Sequence, residues 1–291
     1  MTGYRKINLT DWIRKGEGAT AESYFHKTDK TIMLKLFTGE ATLNNYAQRE
    51  YDFANNVYKL GIKTPKALEV VEADGKLGVI YERVIGKKSF SKICHDNPNK
   101  IDEYSRLFAR ELKKLNALPC DTKSFPSINN IARRVISSNR YFRKKTKTSL
   151  LKILEDIEDR NTCLHGDPHS GNLLESPKGL FWIDLGAFCF GNPIYDEASV
   201  YFFYRFKIGK QLSKKILHMN SKQLNHYWLS FINEYSGVDY HDKKSFKLYL
   251  RKMHKAVLIF ALYTCEVEHY AGFKAWLASF VIKILNWQIR Y

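Results

Sequence analysis

His165-Gly166-Asp167-Pro168-His169-Ser170-Gly171-Asn172 is the stretch on which the reading of this chain turns, and Leu173-Leu174 follows it directly. A strand-like run, Thr162-Cys163-Leu164, leads into it. Twelve residues past Asn172 comes Asp184, in Ile183-Asp184-Leu185-Gly186, at the end of a short apolar run that Gly179 opens. Two plain readings of the loop exist. Gly, Pro, Asp and Asn are turn formers, so the loop reads as a set of turns. His165, Asp167 and His169 alternate along an extended segment, as transition-metal ligands would. The first leaves the spacing of the whole set to chance. The second leaves Asn172 and the distant Asp-x-Gly without a role.

The spacing His-x-Asp-x4-Asn, then a hairpin's length, then Asp-x-Gly, resembles the catalytic loop and metal-binding segment of the protein kinase fold. In detail it looks like the aminoglycoside phosphotransferase and choline kinase group of kinase-like enzymes. That group has Gly after the loop His and a short segment after the metal-binding Asp. Gly191-Asn192-Pro193-Ile194-Tyr195-Asp196 is also similar to its Gly-x-Pro-x-x-Asp turn. The resemblance implies an α+β, two-lobed protein-kinase-like fold, with a small β-rich N-lobe over residues 1–85 and a larger, mainly helical C-lobe over 86–291. It implies ATP and Mg2+ as cofactors and transfer of the terminal phosphoryl group to a hydroxyl. Such a reaction needs two oxygens in line and its negative charge neutralised. Asp167 would accept or orient the acceptor's hydroxyl proton. Asn172 and Asp184 would be hard oxygen ligands for magnesium. His165 would brace the loop by hydrogen bonding, and Gly186 would let the backbone turn after the metal ligand.

A kinase-like N-lobe must also supply a phosphate clamp, a lysine and an ion-pair partner. Gly16-Glu17-Gly18-Ala19-Thr20 is a glycine loop between strands, so Gly16 and Gly18 are the clamp candidates. As an ordinary hairpin turn it would need no function. Lys35 lies in Ile32-Met33-Leu34-Lys35-Leu36-Phe37, where a charge among apolar neighbours must be paired or face a cleft. By resemblance it contacts the α- and β-phosphates. Its partner by resemblance is Glu50, on a helix expected over residues 40–60. Glu50 shares a helical face with Tyr46, Phe53 and Val57, whereas the rival Asp52 points away from it. The strand 77–84 resembles the last N-lobe strand and hinge, where the Glu82 carbonyl and Val84 amide would hold the adenine.

The rest of the first 85 residues reads as a small antiparallel sheet. Runs at 20–26 and 31–37 flank a turn at Thr28-Asp29-Lys30, and runs at 67–73 and 77–84 flank Asp74-Gly75. Beyond Gly86 the pattern turns helical, over 99–118, most of 128–158, and almost everything from 194 onward. With 44% hydrophobic and 14% aromatic residues the chain can bury a core, which excludes a disordered polymer. No apolar run reaches the roughly 18 residues of a membrane span. The opening Met-Thr-Gly-Tyr-Arg-Lys runs into mixed polar sequence without a signal-peptide core, and five scattered cysteines read as reduced thiols. Both lead to the expectation of a cytoplasmic protein.

The formal charge is +17, of which residues 1–89 carry +4 and the remainder +13. Residues 133–152 hold eight basic side chains and no acid, among them Arg133, Arg134, Arg140, Arg143, Lys144 and Lys145. Such a stretch attracts anions over about a Debye length, or simply forms a solvated face. Nine residues lie between Gly186 and Asp196, too few for a peptide platform, so the expected acceptor is a small molecule or glycoconjugate. The charge points to an anionic one, such as a phosphorylated sugar or an acidic glycolipid at a membrane surface. Tyr201, Tyr204, Arg205, Glu266, Glu268 and His269 are candidate acceptor contacts. Three alternatives differ in class or acceptor. An aminoglycoside-type antibiotic kinase would need a locally acidic pocket. A catalytically silent kinase-like module is opposed by intact Lys35, Asp167, Asn172 and Asp184. A nucleic-acid-binding module using 133–152 has few interleaved aromatics beyond Tyr141 and Phe142.

Overall fold

The computed structural model describes residues 3–17, 21–38, 46–206, 213–214, 216–267 and 272–288. By its internal contacts the chain forms two compact units, one of Met1–Lys88 with Leu173–Gly186, the other of Ser89–Asn172 with Ala187–Tyr291.

The first unit is built on a six-stranded sheet in the order β1-β5-β6-β4-β3-β2. The strands are β1 (Arg5–Lys6), β2 (Trp12–Glu17), β3 (Ala21–His26), β4 (Ile32–Phe37), β5 (Ala67–Ala73) and β6 (Lys76–Glu82). The sheet is mixed, not wholly antiparallel as the sequence suggested, because β1 runs parallel to β5. Two exposed residues carry no alternation to read. β5 and β6 are joined by Asp74-Gly75 with φ of 49° and 73°, the paired positive angles that suit the twist of a two-residue hairpin. Side chains alternate across β4. Leu34 and Leu36 join Trp12, Tyr24, Val71 and Ile80 on one face. Phe37 joins Ala47, Ala54, Val70 and Val79 on the other, against helix α1 (Tyr46–Lys59). Each fully buried leucine contributes on the order of 1.5–3 kcal/mol. After β7 (Lys88–Ser89) and β8 (Thr162–Leu164), the hairpin β9 (Leu173–Ser176) and β10 (Gly179–Trp182) completes this unit.

The second unit is helical. It holds α2 (Phe90–Asp96), α3 (Ile101–Asn116), α4 (Ile128–Ser138), α5 (Lys144–Glu155) and α6 (Ile194–Tyr204), then α7 (Ser221–Ser236), α8 (Lys243–Val267) and α9 (Gly272–Gln288). The stretch 128–158, read as mostly helical, holds two helices parted at 139–143. Phe108 of α3 packs against Tyr227 and Phe231 of α7 at 6.1 and 5.8 Å between ring centres. α6 is buried on nearly every side. β8 pairs antiparallel with β11 (Cys189–Gly191), and this two-stranded ribbon brackets the loop 165–172.

Candidate active site

In the first unit the chemistry gathers around Lys35. It sits in β4 opposite Val79 of β6, and so points to the α1 face with Phe37. A Cβ on Gly78 would come within 2.8 Å of the Lys35 carbonyl, so only glycine lets β6 lie this close. Lys35 Nζ lies 2.7 and 3.0 Å from the two Glu50 oxygens and 3.0 Å from Asp184 Oδ1. Asp52 instead accepts from Gln48 on its own helix. Glu50 is buried with Ala47, Ala54 and Val57 on one stripe of α1, and Tyr81 of β6 donates to its Oε1 at 2.9 Å. Burial opposes the charge on Lys35, but Asp184 and then Glu50 more than offset it, so its pKa stands above the ordinary lysine value. Burial, with Glu50 beside it, holds the Tyr81 hydroxyl protonated far above the usual tyrosine range.

Asp184 follows β10 with φ of 61°, a left-handed conformation that costs a non-glycine residue about 1–2 kcal/mol. Such strain persists only where the surroundings hold it, and it gathers at functional sites. Here Lys35 holds the carboxylate, and Arg49 of α1 donates to the Gly186 carbonyl at 3.0 Å. Of the other first-unit candidates, Gly16 lies at an irregularity in the β2–β3 pairing, opposite Ser23. Gly18 lies outside the described residues. Glu82 ends β6, its amide bonded to the Lys66 carbonyl at 2.9 Å, and Val84 follows in the exit from that strand.

In the second unit the loop 165–172 is held from beneath by Asp196. Its carboxylate accepts from the amides of His165 and Gly166, at 2.8 and 2.9 Å, and from Asn116 Nδ2 at 2.8 Å. Tyr235 in turn donates to Asn116 Oδ1 at 2.7 Å. Asp196 is fully buried, and that burial pushes its pKa up to about 6 against the pull of its three donors. Gly166 has φ of 80°, and a Cβ there would lie 1.9 Å from the Ala187 carbonyl oxygen. Tyr263 donates to that same oxygen at 2.7 Å. His165 is buried, and its Nδ1 receives the Asp167 amide at 3.4 Å. Asn172 turns its Nδ2 onto the Asp167 backbone oxygen at 3.0 Å, so its Oδ1 is the end a cation would meet. Tyr204 fixes Ser170, accepting from its amide at 2.9 Å and donating to its Oγ at 2.7 Å.

Asp167 itself is about one-third exposed. His169 Nδ1 accepts from the Gly171 amide, and its Nε2 stands 3.7 Å from Asp167 Oδ2, beyond hydrogen-bonding range. Both loop histidines thus turn a ring nitrogen on the loop's own backbone. Among the described residues no three His, Cys, Asp or Glu side chains are grouped to hold a metal ion, which removes the transition-metal reading of the loop. Carboxylate and amide oxygens, of the kind Asp184 and Asn172 each carry, are the donors that hard cations take.

Tyr81, Arg49, Gly78, Asn116, Tyr235 and Tyr263 take no part in the motif spacing, Asp196 entered only through a family-like turn, and Tyr204, read as an acceptor contact, is buried against Ser170. Their partners lie 31 to 137 residues away for Tyr81 and Arg49, so no local pattern marks them. Of the acceptor candidates, Tyr201 is buried and bonded to His254, and Glu266 is paired with Arg134 at 2.7 Å. Glu268 and His269 lie outside the described residues.

The model of the phosphotransferase enzyme family, APH, matches residues 11–228, which takes in both clusters. No curated protein sequence matches the chain. Among solved structures, aminoglycoside phosphotransferase APH(3'')-Id from Streptomyces rimosus is 15% identical, over 84% of this chain and 92% of that one, with a TM-score of 0.51. A choline/ethanolamine kinase family protein from Mesorhizobium loti is 14% identical over 98% and 89%, with a TM-score of 0.52. Amicoumacin kinase hAmiN, solved with AMP-PNP, Ca2+ and Ami, is 12% identical over 98% and 90%, with a TM-score of 0.54. At these identities the likeness is one of fold, the protein-kinase-like fold with a sheet-based first part and a helical second. With three quarters of its length under the family model, this chain belongs to the phosphotransferase enzyme family.

Proposed function

We propose that the protein is an ATP- and magnesium-dependent kinase that moves the terminal phosphoryl group onto a hydroxyl of a small molecule or glycoconjugate. The observation that carries this reading is the Lys35 cluster. A lysine inside a sheet, gripped by a buried Glu50 and reaching a strained Asp184, is a costly arrangement that core packing alone does not need. Lys35 offers a fixed positive charge to the nucleotide's phosphates, and Glu50, itself held by Tyr81, keeps the ammonium aimed. Gly16 and Gly18 belong to the loop that covers those phosphates, while the Glu82 carbonyl and Val84 amide hold the base. Asp184 and Asn172 are the residues that would hold magnesium, which neutralises charge on the transferring phosphoryl group. Asp167 orients the acceptor hydroxyl and takes its proton at a carboxylate oxygen. His165 shapes the loop from within, and Asp196 anchors its backbone.

The excess of +13 beyond residue 89 favours an anionic acceptor. Within the basic stretch 133–152, Arg133 and Arg134 are already engaged by Glu155 and Glu266, and four of the six basic groups that remain lie on α5. The test is transfer of label from γ-labelled ATP by the purified protein. The acceptor panel holds acidic sugars, lipid-linked glycans, neutral alcohols and aminoglycosides, each with and without a magnesium chelator. Labelled product with an acidic hydroxyl compound, lost on chelation, is the expected result. Product with aminoglycosides alone would overturn the anionic acceptor but leave the reaction standing. Failure of the protein to bind magnesium nucleotide at all would overturn the kinase reading.

A further inference from the structure

Helix α9 is inverted relative to an ordinary surface helix. The side it turns to its neighbours carries Ser279 and Asn286, each 3% exposed, beside Ile282. Ser279 Oγ accepts from Asn139 Nδ2, and Asn286 Oδ1 accepts from Ser149 Oγ of α5, both at 3.0 Å. The large apolar side chains are on the outside. Trp276, Leu277, Phe280 and Ile284 are 41–45% exposed. At 3.6 residues per turn these four lie within an arc of about 100°, centred on the order of 140° away from the buried set. Trp276 and Phe280 stack with ring centres 5.8 Å apart and planes within 11°.

The rim of this apolar face is basic. Lys274 borders one side, and Lys283 borders the other with its Nζ 5.9 Å from the Phe280 ring centre. α9 contains no Asp or Glu. Next to it, α5 carries Lys145 and Lys152 four residues before and three after Ser149, on the face that meets Asn286. With Lys144 they line an open groove, and residues 133–154 contain no acid.

We propose that this face of α9 docks on the surface of an anionic lipid bilayer, lying in the interface with its apolar side chains inward and its lysines among the headgroups. An amphipathic helix with aromatic and aliphatic residues on one side and lysines along the borders is built for that position. Tryptophan suits the headgroup level. Spanning is excluded for the described residues, since no helix there is long and apolar enough to cross. Nucleic acid would set Leu277 and Ile284 against phosphates, with no apolar area to receive them. A second copy packed about a two-fold axis would bring together two faces rimmed by lysine with no acid on either helix. Charge complementarity therefore selects the bilayer. The proposal goes beyond the phosphotransfer reading and does not depend on it, because docking is measured without nucleotide or acceptor.

The test is flotation of the full chain with vesicles of phosphatidylcholine alone, and of equal parts phosphatidylcholine and phosphatidylglycerol, at low and high salt. Wild-type protein is expected to float with the anionic vesicles, not with the neutral ones, and less as salt rises. Leu277→Ser with Ile284→Ser should weaken this at least tenfold. Lys274→Gln and Lys283→Gln should each weaken it by about fivefold. The lysine variants alter only side chains at the rim of the helix, so an unchanged melting midpoint verifies their fold independently. Three results would each overturn the proposal. One is equal flotation with both vesicle types. Another is anionic binding that the apolar variants do not change. The third is no binding of wild type to anionic vesicles, whether or not it dimerises through the same face.

Discussion

Lys35 keeps its charge in a position where burial alone would remove it, because two carboxylates stand within 3.0 Å of its Nζ. Removing either partner of such a pair leaves a buried charge uncompensated, a loss of about 3–5 kcal/mol when the site is dry. Groups that act as a unit are non-additive. Lys35→Ala and Glu50→Ala should therefore each lower kcat/KM, and the double variant should be little worse than Lys35→Ala. Asp52→Ala should change nothing. Additive losses in that cycle would show that Glu50 does not work through Lys35. Asp196 gives a second residue-level expectation, with a sign. Its carboxyl is raised to about 6 in the folded state against about 4 in the unfolded chain, so the native protein binds more protons between those values. Its contribution to stability is present in full below pH 4 and declines as pH rises to 6. Asp196→Asn turns an NH2 group onto a backbone or amide donor, and should cost about 1–3 kcal/mol. It also abolishes that decline. Urea unfolding of both forms from pH 4 to 7 checks this. The difference in stability, wild type minus variant, should shrink as pH rises to 6 and then level off, and a difference that grows over this range would contradict it.

At the scale of elements, the loop 165–172 owes its shape to Gly166. Gly166→Ala must accept both the left-handed backbone and a clash with the Ala187 carbonyl, and should cost about 2–5 kcal/mol. Gly237→Ala, at a similar φ of 66° but in open space, should cost only about 1 kcal/mol. Equal melting shifts for the two would mean that the loop does not press on Ala187. The same elements show what a sequence can disclose. β4, the β5–β6 hairpin and the loop itself were legible because alternation, a paired positive-φ turn and a fixed motif spacing are all local. The choice of Glu50 over Asp52 was legible from helical periodicity. What escaped was either too short to carry a period, like β1 and the seven-residue α2, or made of distant partners. Asp184 reaches Lys35 across 149 residues, and Asn116 reaches Asp196 across 80. No window of sequence contains both ends. The inverted face of α9 escaped for a related reason. The stretch reads only as helical, and only the packing of Ser279 and Asn286 shows which side is inside.

Across the whole molecule, charge has the longest reach. The lysines of α5 act over a Debye length of about 8 Å, so their effect should be on encounter and not on bond-making. Replacing Lys144, Lys145 and Lys152 with Gln should raise KM for an anionic acceptor several-fold at low salt while leaving kcat and nucleotide KM in place. The penalty should fade as salt rises. Parallel curves of kcat/KM against salt for the two forms would show a merely solvated face. Beneath the choice of acceptor lies the claim that the chain transfers phosphoryl groups with Asp167 as the acceptor's base. That claim meets its most direct test in single-turnover transfer from γ-labelled ATP by wild type and Asp167→Asn, at saturating nucleotide and acceptor, with nucleotide affinity measured alongside. Loss of a positioned base should slow transfer by about 10²–10⁴ while magnesium nucleotide still binds as in wild type. Transfer at the wild-type rate by Asp167→Asn would contradict the claim.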